Sequence, residues 1–594
     1  MTYIEKLSVL RDLMKKEGLD AYIVLSSDAH ATEYLPDYWQ CRAWLSGFTG
    51  SVGVIAVSLD DARLWADGRY WIQAENELKG SAIQLQKMGM DGVPTLQEWV
   101  TNTLKEKAIV GIDGRTVSVD LYRAYMKEFK KKKLKIRLDL DLIDKIWKDR
   151  PHFPNGRAFD HDIKFAGLSR PEKLQLVREK MKKEGADCYL FSPLDDIAWL
   201  YNFRGTDTPN MHTIYAYTFI TQNEALLFTD EKKFGDLKSS LIKDGVQIKD
   251  YSEIFNFIKS YKAKGNIFID PNKLSAWLFD AIPENLTVLE GMEIAAWLKS
   301  QKNSVEIENL KRCHAKDCAA LCKFIKWLKE AVYKESIEEA DIHDKVNEFR
   351  KGLENYIGVS FETIAGYMEN GALMHYRPVK GLSTKLKASG FMILDTGGQY
   401  QDGTTDITRT LVLGDVSDEM KKDYTLTLKS HIRLAMARFI YGATGPALDV
   451  LARTPMWENG MDYKSGTGHG VGYVLNVHES PPSIRYNPAP SALIKLEEGM
   501  TFTNEPGVYK EGKWGIRTEN TMLVVKDYSN SDGTFMKFEV ISHCPIDHRA
   551  IDRSLLSDCE VKWLNDYHEA TYKTLSPFMN DEEKAWLREE TKAI

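Results

Sequence analysis

The chain has 594 residues, of which 43% are hydrophobic and 28% are charged, and its formal net charge is −7. This length exceeds what one hydrophobic core supports and predicts roughly three or four domains. The composition is that of an ordinary globular protein. The slightly acidic balance argues against a general nucleic-acid binder, so we expect no nucleic-acid partner.

The N-terminal sequence MTYIEKLSVLRDLMKKEG mixes acidic and basic side chains and has no long apolar core. This pattern predicts no signal peptide. No apolar run of the chain approaches the roughly 20 residues that span a bilayer. The seven cysteines are few for this length, which is typical of reduced thiols. Together these features predict a cytoplasmic protein with no membrane partner.

An internal repeat organises the first half of the chain. The sequence EKLSVLRDLMKKEGLDAYIV begins at Glu5, and EKLQLVREKMKKEGADCYLF begins at Glu172. Each copy has an amphipathic helical pattern, a glycine at which the helix is expected to end (Gly18 or Gly185) and an apolar run typical of a strand. The repeat predicts two related α/β domains in tandem. The segment DKIWKDRPHFPNGRAF, which contains Pro and Gly, is expected to link them.

The pattern changes from about Ser304, where SVEIENLKRCHAKDCAALCKFIKWLKEAVYK predicts one long amphipathic helix. It carries four side chains of metal-ligand type: Cys313, His314, Cys318 and Cys322. Their spacing is helical and lacks the paired Cys-x-x-Cys of zinc sites, so we interpret them as core residues. The remainder predicts an α+β domain whose tail forms two or three helices joined at Pro577 and Asn580.

The sequence FMILDTGGQYQDGTTDITRTLVL, which starts at Phe391, places two aspartates beside apolar runs. Two antiparallel strands joined by the glycine-rich turn would bring Asp395 and Asp406 to one face of a sheet. Considered by themselves, the two carboxylates are compatible with three roles. These roles are catalysis as a general acid and base, binding of a shared cation, and capping of a turn.

Three downstream sequences add further metal-ligand types. SGTGHGVGYVLNVHES contains His469 and His478, EEGMTFTNEPGVY places Glu505 after a strand-like run, and WGIRTENTMLVV places Glu519 inside another. Four carboxylates and an imidazole in a β context form a hard, oxygen-rich donor set. Such a set suits Mn²⁺, Co²⁺ or a pair of divalent ions better than a closed structural zinc site.

Competing motifs do not fit. GTGHGVG departs from G-x-G-x-x-G, and the pair His478–Glu479 lacks the second histidine of H-E-x-x-H. Pro481 and Pro482 also exclude a helix at that point. No G-x-S-x-G sequence occurs, so a serine hydrolase of that class lacks its nucleophile motif.

The combination of ILDTGGQYQDGTTDITRT, GTGHGVG…NVHE, TNEPGVY and GIRTEN resembles the pita-bread metallopeptidases, and among them the long, three-domain X-prolyl aminopeptidases. SSDAHATEYL, WLSGFTGSVG and LWADGRYWIQAENEL resemble the first, creatinase-like domain of that family. The resemblance implies an α/β and α+β architecture. Two tandem creatinase-like α/β domains, residues 1–153 and 154–304, would precede a pita-bread catalytic domain with a C-terminal helical extension, residues 305–594.

The resemblance also implies two divalent metal ions per subunit, usually Mn²⁺, with Asp406 and Glu519 bridging them. The implied metal ligands are Asp395, Asp406, His469, Glu505 and Glu519. The implied catalytic residues are His375 from GALMHYRP, His478, Glu505, Arg517 and Tyr509.

The implied activity is removal of the N-terminal residue from peptides with proline in the second position. In the mechanism expected for such a site, a hydroxide supplied by the two ions would attack the X-Pro bond, and Glu505 would pass a proton to the leaving nitrogen. The resemblance implies a homodimer in which Arg42 of one first domain reaches the neighbouring site. Ser480, Pro481 and Pro482 depart from the family pattern. The resemblance therefore does not predict the shape or the residue preference of the substrate pocket expected beside them.

Three alternatives use the same fold. A prolidase would act on dipeptides, a scaffold protein would have lost the metal ligands, and a creatinase-type amidinohydrolase would work without metals. The tandem N-terminal domains and the long tail favour the aminopeptidase over the prolidase. The presence of all five ligand residues argues against the scaffold.

Overall fold

The computed structural model describes all residues, Met1–Ile594, and they divide into two compact units. The first unit contains Met1–Asp160 and Leu168–Ala295, and the second contains His161–Gly167 and Ala296–Ile594. No helix combines the length and the apolar character that a membrane span requires. The first unit holds both copies of the repeat, and the residue ranges of the three domains given above remain predictions.

Each copy of the repeat in the first unit builds a six-stranded mixed sheet of the same strand order. The strands of the first sheet, in spatial order, are Gln84–Lys87, Ala62–Ala66, Val54–Ser58, Ala21–Leu25, Ile109–Ile112 and Lys135–Arg137. Those of the second are Val246–Lys249, Ala225–Phe228, Tyr217–Thr221, Cys188–Phe191, Gly265–Ile269 and Leu286–Glu290. In both sheets the strand after the repeat helix pairs antiparallel on one side and parallel on the other. The predicted tandem α/β organisation is therefore confirmed.

The repeat helices explain why both copies fold alike. Tyr3–Lys16 and Arg170–Lys183 each begin with a capping box, in which a hydroxyl side chain and a glutamate satisfy the first free backbone N–H groups. Gly18 and Gly185 follow the helices with φ of 71° and 73°, a backbone conformation that favours glycine. The remaining helices of this unit are Cys41–Ser46, Trp71–Glu77, Leu96–Thr103, Val119–Phe129, Leu142–Ile146, Leu194–Leu200, Leu237–Lys243, Ile254–Lys259 and Ala276–Phe279.

Arg42 is a buried residue of the first unit. Its side chain is only 4% exposed and lies within the first unit. The guanidinium donates to the carbonyl of Gly50 and lies over the Phe48 ring, with its carbon 4.6 Å from the ring centroid. In this single chain the guanidinium is enclosed by its own domain, and the contact of Arg42 with a neighbouring subunit stays a prediction.

The second unit contains four sheets. The largest has the strands Arg438–Ile440, Gly533–Val540, Asn520–Asn530, Thr501–Asn504, Gly468–Gly470 and Glu479–Ile484 in spatial order. One three-stranded sheet contains Ile364–Tyr367, Phe391–Thr396 and Ile407–Val412. The other contains Tyr356–Val359, Gly398–Tyr400 and Gly403–Thr404, and a two-stranded sheet joins Gly507–Lys510 to Trp514–Arg517.

Helices cover these sheets. They are Ser304–Ala331, Glu339–Arg350, Asp418–Ala435, Gly445–Trp457, Asp558–Leu575 and Asp581–Glu590. Cys318 and Cys322 of the long first helix are fully buried in its main hydrophobic core, and Cys313 is also buried, which confirms their interpretation as core residues. The last two helices meet at a short 3-10 turn that contains Pro577, and Asn580 caps the final one, as predicted.

Candidate metal centre

Asp395 and Asp406 come from neighbouring strands of one small sheet. Asp395 is the fifth residue of the fully buried strand Phe391–Thr396 and lies opposite Thr408 of its antiparallel partner. Asp406 directly precedes that partner strand. Asp395 is 8% exposed and Asp406 is 3% exposed. Both aspartates therefore belong to one antiparallel pair of strands, as expected, and Asp395 is near enough to contribute to raising the pKa of Asp406.

The segment between the two aspartates is more than a turn. Gly398–Tyr400 and Gly403–Thr404 leave this sheet and pair in a second one. The departure begins at Gly397, where a Cβ would lie 2.0 Å from the carbonyl oxygen of Thr405. Only glycine allows this close approach of the two ends of the segment.

The other three candidate ligands lie on the large sheet. His469 is the middle residue of Gly468–Gly470, and Glu505 follows Thr501–Asn504 directly. Glu519 precedes the strand Asn520–Asn530, whereas the sequence placed it inside a strand. The difference has a structural cause: the chain passes from the two-stranded sheet to the large sheet at this residue, and the Glu519 N–H bonds to the carbonyl of Thr408 instead (3.1 Å).

These strand ends bring the ligand atoms together. His469 Nε2 lies 3.5 Å from Asp406 Oδ2 and 3.6 Å from Glu505 Oε1. One ligand atom from each of Asp406, His469 and Glu519 lies within 4.8 Å of the others. His469 Nδ1 is 2.9 Å from the carbonyl oxygen of Gly470, a contact that requires a proton on Nδ1 and leaves the Nε2 lone pair facing the carboxylates.

Arg517 and Tyr509 lie directly beside the cluster. Arg517 donates from Nη2 to Asp395 Oδ2 (2.5 Å) and from Nη1 to the Tyr509 hydroxyl (2.7 Å). Its Nε donates to Thr408 Oγ1 (3.2 Å), which in turn donates to Glu519 Oε2 (2.5 Å). One arginine therefore fixes two of the acidic side chains, the second of them through a threonine hydroxyl.

Two threonines of the site were not identified from the sequence. Thr408 connects Arg517 to Glu519, and Thr503 accepts from the backbone N–H of His469 (3.1 Å) while donating to Glu505 Oε1 (3.2 Å). Each threonine lies on a strand, two residues from a candidate ligand (Asp406 or Glu505). A spacing of two residues along a strand places side chains on the same face, but it is only a weak signal in the sequence.

The electrostatics show a strong excess of buried negative charge. Burial raises the pKa of Asp406 well above its ordinary value, and repulsion from Glu519, Asp395 and Glu505 raises it further. Burial raises the pKa of Glu505 to about 7, although Arg517 partly offsets this effect. Burial and the neighbouring carboxylates also raise the pKa of Glu519. Without added positive charge, Asp406, Glu505 and Glu519 would not all ionise at neutral pH.

This donor set fits divalent cations. Asp395 Oδ1 is buried and accepts no hydrogen bond from the protein, which is unusual for a carboxylate oxygen unless a cation completes its surroundings. Carboxylate oxygens with one imidazole nitrogen are donors that Mn²⁺ and similar ions bind well. The residues present are therefore suited to hold metal at this point.

The two predicted catalytic histidines differ in what the structure shows. The His478 ring is exposed and stands perpendicular to the His469 ring, with centroids 4.3 Å apart. His375 is half-buried and follows the 3-10 helix Met368–Ala372. That short helix packs closely against the strand that ends at Arg517. A Cβ on Gly515 of this strand would lie only 1.8 Å from the carbonyl oxygen of Gly371 in the helix. The catalytic role of each histidine remains a prediction.

Comparison with known proteins agrees with this description. The profile of Metallopeptidase family M24 matches residues 308–526, and that of the C-terminal region of peptidase M24 matches residues 534–594. Two profiles described as Creatinase/Prolidase N-terminal domain match residues 6–137 and 149–306. The fold and the acidic centre thus define a metallopeptidase, and the chain belongs to family M24.

Full-length relatives identify the subfamily within family M24. The chain is 36% identical to Xaa-Pro aminopeptidase 1 of Dictyostelium discoideum over 99% of this chain and 96% of the relative. It is 36% identical to aminopeptidase P2 of Arabidopsis thaliana over 99% and 88%. Within family M24, the chain is a member of the Xaa-Pro aminopeptidases with two creatinase-like domains.

Solved structures give the same result for the fold. The X-prolyl aminopeptidase of Caenorhabditis elegans, described as a cytosolic enzyme with a di-nuclear active site, has a TM-score of 0.95 and 33% identity, with 100% of both chains covered. The Xaa-Pro dipeptidase of Bacillus anthracis has a TM-score of 0.51 and 24% identity, and covers 64% of this chain and 99% of its own. The second similarity shows the fold alone.

Proposed function

We propose that this chain is a metal-dependent exopeptidase that removes the N-terminal residue from peptides with proline in the second position. The observation that carries the proposal is the convergence of His469 with the buried carboxylates of Asp406 and Glu519 within 4.8 Å. Full-length similarity to Xaa-Pro aminopeptidases supports the substrate class. Asp395 and Glu505 complete the proposed set of five metal ligands.

We further propose that Mn²⁺ is the native metal and that the site would hold two ions, with Asp395, Asp406, His469, Glu505 and Glu519 as the residues that would bind them. The donor set is rich in oxygen, which Mn²⁺ favours over thiolate or all-nitrogen sites. The C. elegans relative, with its di-nuclear active site, supports the number of ions. When bound, such ions activate a water nucleophile and polarise the scissile carbonyl.

The chain's own residues supply the proton transfers and the orientation. Glu505, whose carboxylate lies 3.6 Å from His469 Nε2, is proposed to accept a proton from water and deliver it to the proline nitrogen. That nitrogen leaves only after protonation. We propose that His478, whose exposed ring lies beside that of His469, donates to the developing oxyanion and that His375 assists. Arg517 and Tyr509 hold Asp395 in place.

We also propose that the enzyme is a cytoplasmic homodimer. The cytosolic relative supports the location, and the family resemblance supports the dimer. Sedimentation equilibrium of the purified protein tests the latter, because a monomer at micromolar concentration would contradict it.

The activity is tested with matched peptides. We expect the Mn²⁺-loaded enzyme to release arginine from Arg-Pro-Pro but not from Arg-Ala-Pro, and to act more slowly on the dipeptide Gly-Pro. Preferential cleavage of Gly-Pro would instead identify a prolidase. EDTA should abolish the release, and Mn²⁺ should restore it better than Zn²⁺. Turnover that resists the chelator would contradict the metal centre.

A further inference from the structure

A buried ion pair lies beneath the segment that carries both aspartates. Asp317 belongs to the helix Ser304–Ala331, and Arg350 is the last residue of Glu339–Arg350. Their side chains are 0% and 1% exposed. Arg350 donates from Nε to Asp317 Oδ1 (2.7 Å) and from Nη2 to Oδ2 (3.3 Å). Such a pair is costly to bury unless its remaining hydrogen-bonding positions are satisfied.

The remaining hydrogen bonds go to the residues next to the two candidate ligands. Arg350 Nη1 donates to Thr396 Oγ1 (2.6 Å), and Thr396 directly follows Asp395. Thr405 Oγ1 donates to Asp317 Oδ2 (2.9 Å), and Thr405 directly precedes Asp406. One ion pair is therefore bonded to both ends of the segment that separates the aspartates.

The middle of the segment is held by the same carboxylate. The Tyr400 hydroxyl donates to Asp317 Oδ1 (2.6 Å) and is buried with it. Asp317 thus accepts from Arg350, Tyr400 and Thr405, which saturates its two oxygens. The segment is bonded to this buried ion pair at three points: Arg350 binds its start, and Asp317 binds its centre and its end.

The geometry points to Asp317 and Arg350 as positioning residues of the metal centre, which set the separation of the Asp395 and Asp406 carboxylates. This inference rests on the proposed assignment of those aspartates as ligands. A metal site requires its ligands within a few tenths of an ångström of their ideal positions. Residues that orient ligands through hydrogen bonds typically change metal affinity or activity 10–100-fold when they are substituted.

The chain contains a matched control in the same segment. Asp402 is also fully buried and pairs with Lys316 on the same helix, at 2.7 and 2.8 Å. Its carboxylate bonds to Lys316 and contacts Arg312. Asp402 lies in the turn between the paired strands Gly398–Tyr400 and Gly403–Thr404, and it is not bonded to Thr396 or Thr405. Asp402→Asn therefore removes a buried charge of the same kind without loosening the residues next to the ligands.

The experiment titrates metal-stripped protein with MnCl₂ by calorimetry and records thermal unfolding of the same samples without metal. The variants are Asp317→Asn, Arg350→Lys and Asp402→Asn. Arg350→Lys keeps the charge pair but loses the fork that reaches Thr396. We expect Asp317→Asn and Arg350→Lys to weaken Mn²⁺ binding 10–100-fold. Asp402→Asn should lose a similar amount of metal-free stability and bind Mn²⁺ within about threefold of the parent.

Asp395→Asn in the same titration separates the two proposals. If it binds Mn²⁺ as the parent does, the metal centre itself is misassigned. If it loses binding while Asp317→Asn and Arg350→Lys bind like Asp402→Asn, the positioning role is overturned and the metal centre stands. Should either variant fail to fold, Thr396→Val and Thr405→Val, each of which replaces one hydroxyl with a methyl group, decide the question by the same criterion.

Discussion

Replacement of Glu505 by glutamine should have opposite effects on the metal-free and the metal-loaded protein. The carboxylate is one of four acids that crowd together, and its pKa is raised to about 7 in the absence of metal. Glutamine has nearly the same shape as the protonated acid but cannot ionise. Glu505→Gln should therefore relieve repulsion in the metal-free protein and remove a ligand and proton acceptor from the loaded enzyme.

The size of the first effect follows from the pKa. Because the folded-state pKa exceeds the ordinary value of 4.5, Glu505 contributes its full stability below about pH 4.5 and loses it as the pH rises through 7. The difference between these two pKa values, at 1.36 kcal/mol for each pKa unit, gives about 3 kcal/mol. Since 22% of the side chain is exposed, solvent screening reduces this to about 2 kcal/mol.

The assay is thermal unfolding of EDTA-treated, dialysed parent and Glu505→Gln at pH 5 and pH 8, repeated with MnCl₂. We expect the variant to gain about 2 kcal/mol relative to the parent between the two pH values, to gain less from Mn²⁺, and to lose 10²–10⁴-fold in turnover. Glu511→Gln, at an exposed turn, controls for the loss of one charge. A difference between parent and Glu505→Gln that does not depend on pH would refute the reasoning.

Three further substitutions test neighbouring contacts. His469→Ala removes the only nitrogen donor of the proposed ligand set, so peptide release should fall at least about 100-fold. The circular dichroism spectrum should stay unchanged. An active variant would exclude His469 as a ligand. Arg517→Lys keeps the charge but cannot bond Asp395 and Tyr509 together, and we expect a 10–100-fold loss of turnover, which normal kinetics would contradict. His478→Ala should lower kcat about 100-fold with little change in KM, whereas a change confined to KM would place His478 in substrate binding instead.

The sequence predicted the repeated domains because their helices and glycine stops are local signals. Leu7, Leu10 and Met14 recur as Leu174, Val177 and Met181, and all six side chains are buried. The strand order of each sheet was not predictable in the same way, since it depends on pairing between residues far apart in the chain. An antiparallel and a parallel neighbour of the same strand leave no distinct pattern in a short apolar run.

The candidate site was predicted residue by residue but not in its supporting contacts. Each candidate ligand stands out as a charged or imidazole side chain in an apolar or glycine-rich context. Asp317 and Arg350 do not, because charged residues on amphipathic helices usually face solvent. Only the structure shows that this pair is buried against the segment from Thr396 to Thr405. Thr408 was missed for a similar reason, since threonine is common in strands.

The charge balance of the centre favours two ions over one. The acids Asp395, Asp406, Glu505 and Glu519 face one buried cation, Arg517, whose pKa is raised so that it stays charged. With neutral His469 the cluster carries three excess negative charges once the acids ionise. One divalent ion would leave a negative site that repels an anionic nucleophile. Two would leave one excess positive charge, which attracts hydroxide and stabilises the oxyanion formed during hydrolysis of an amide.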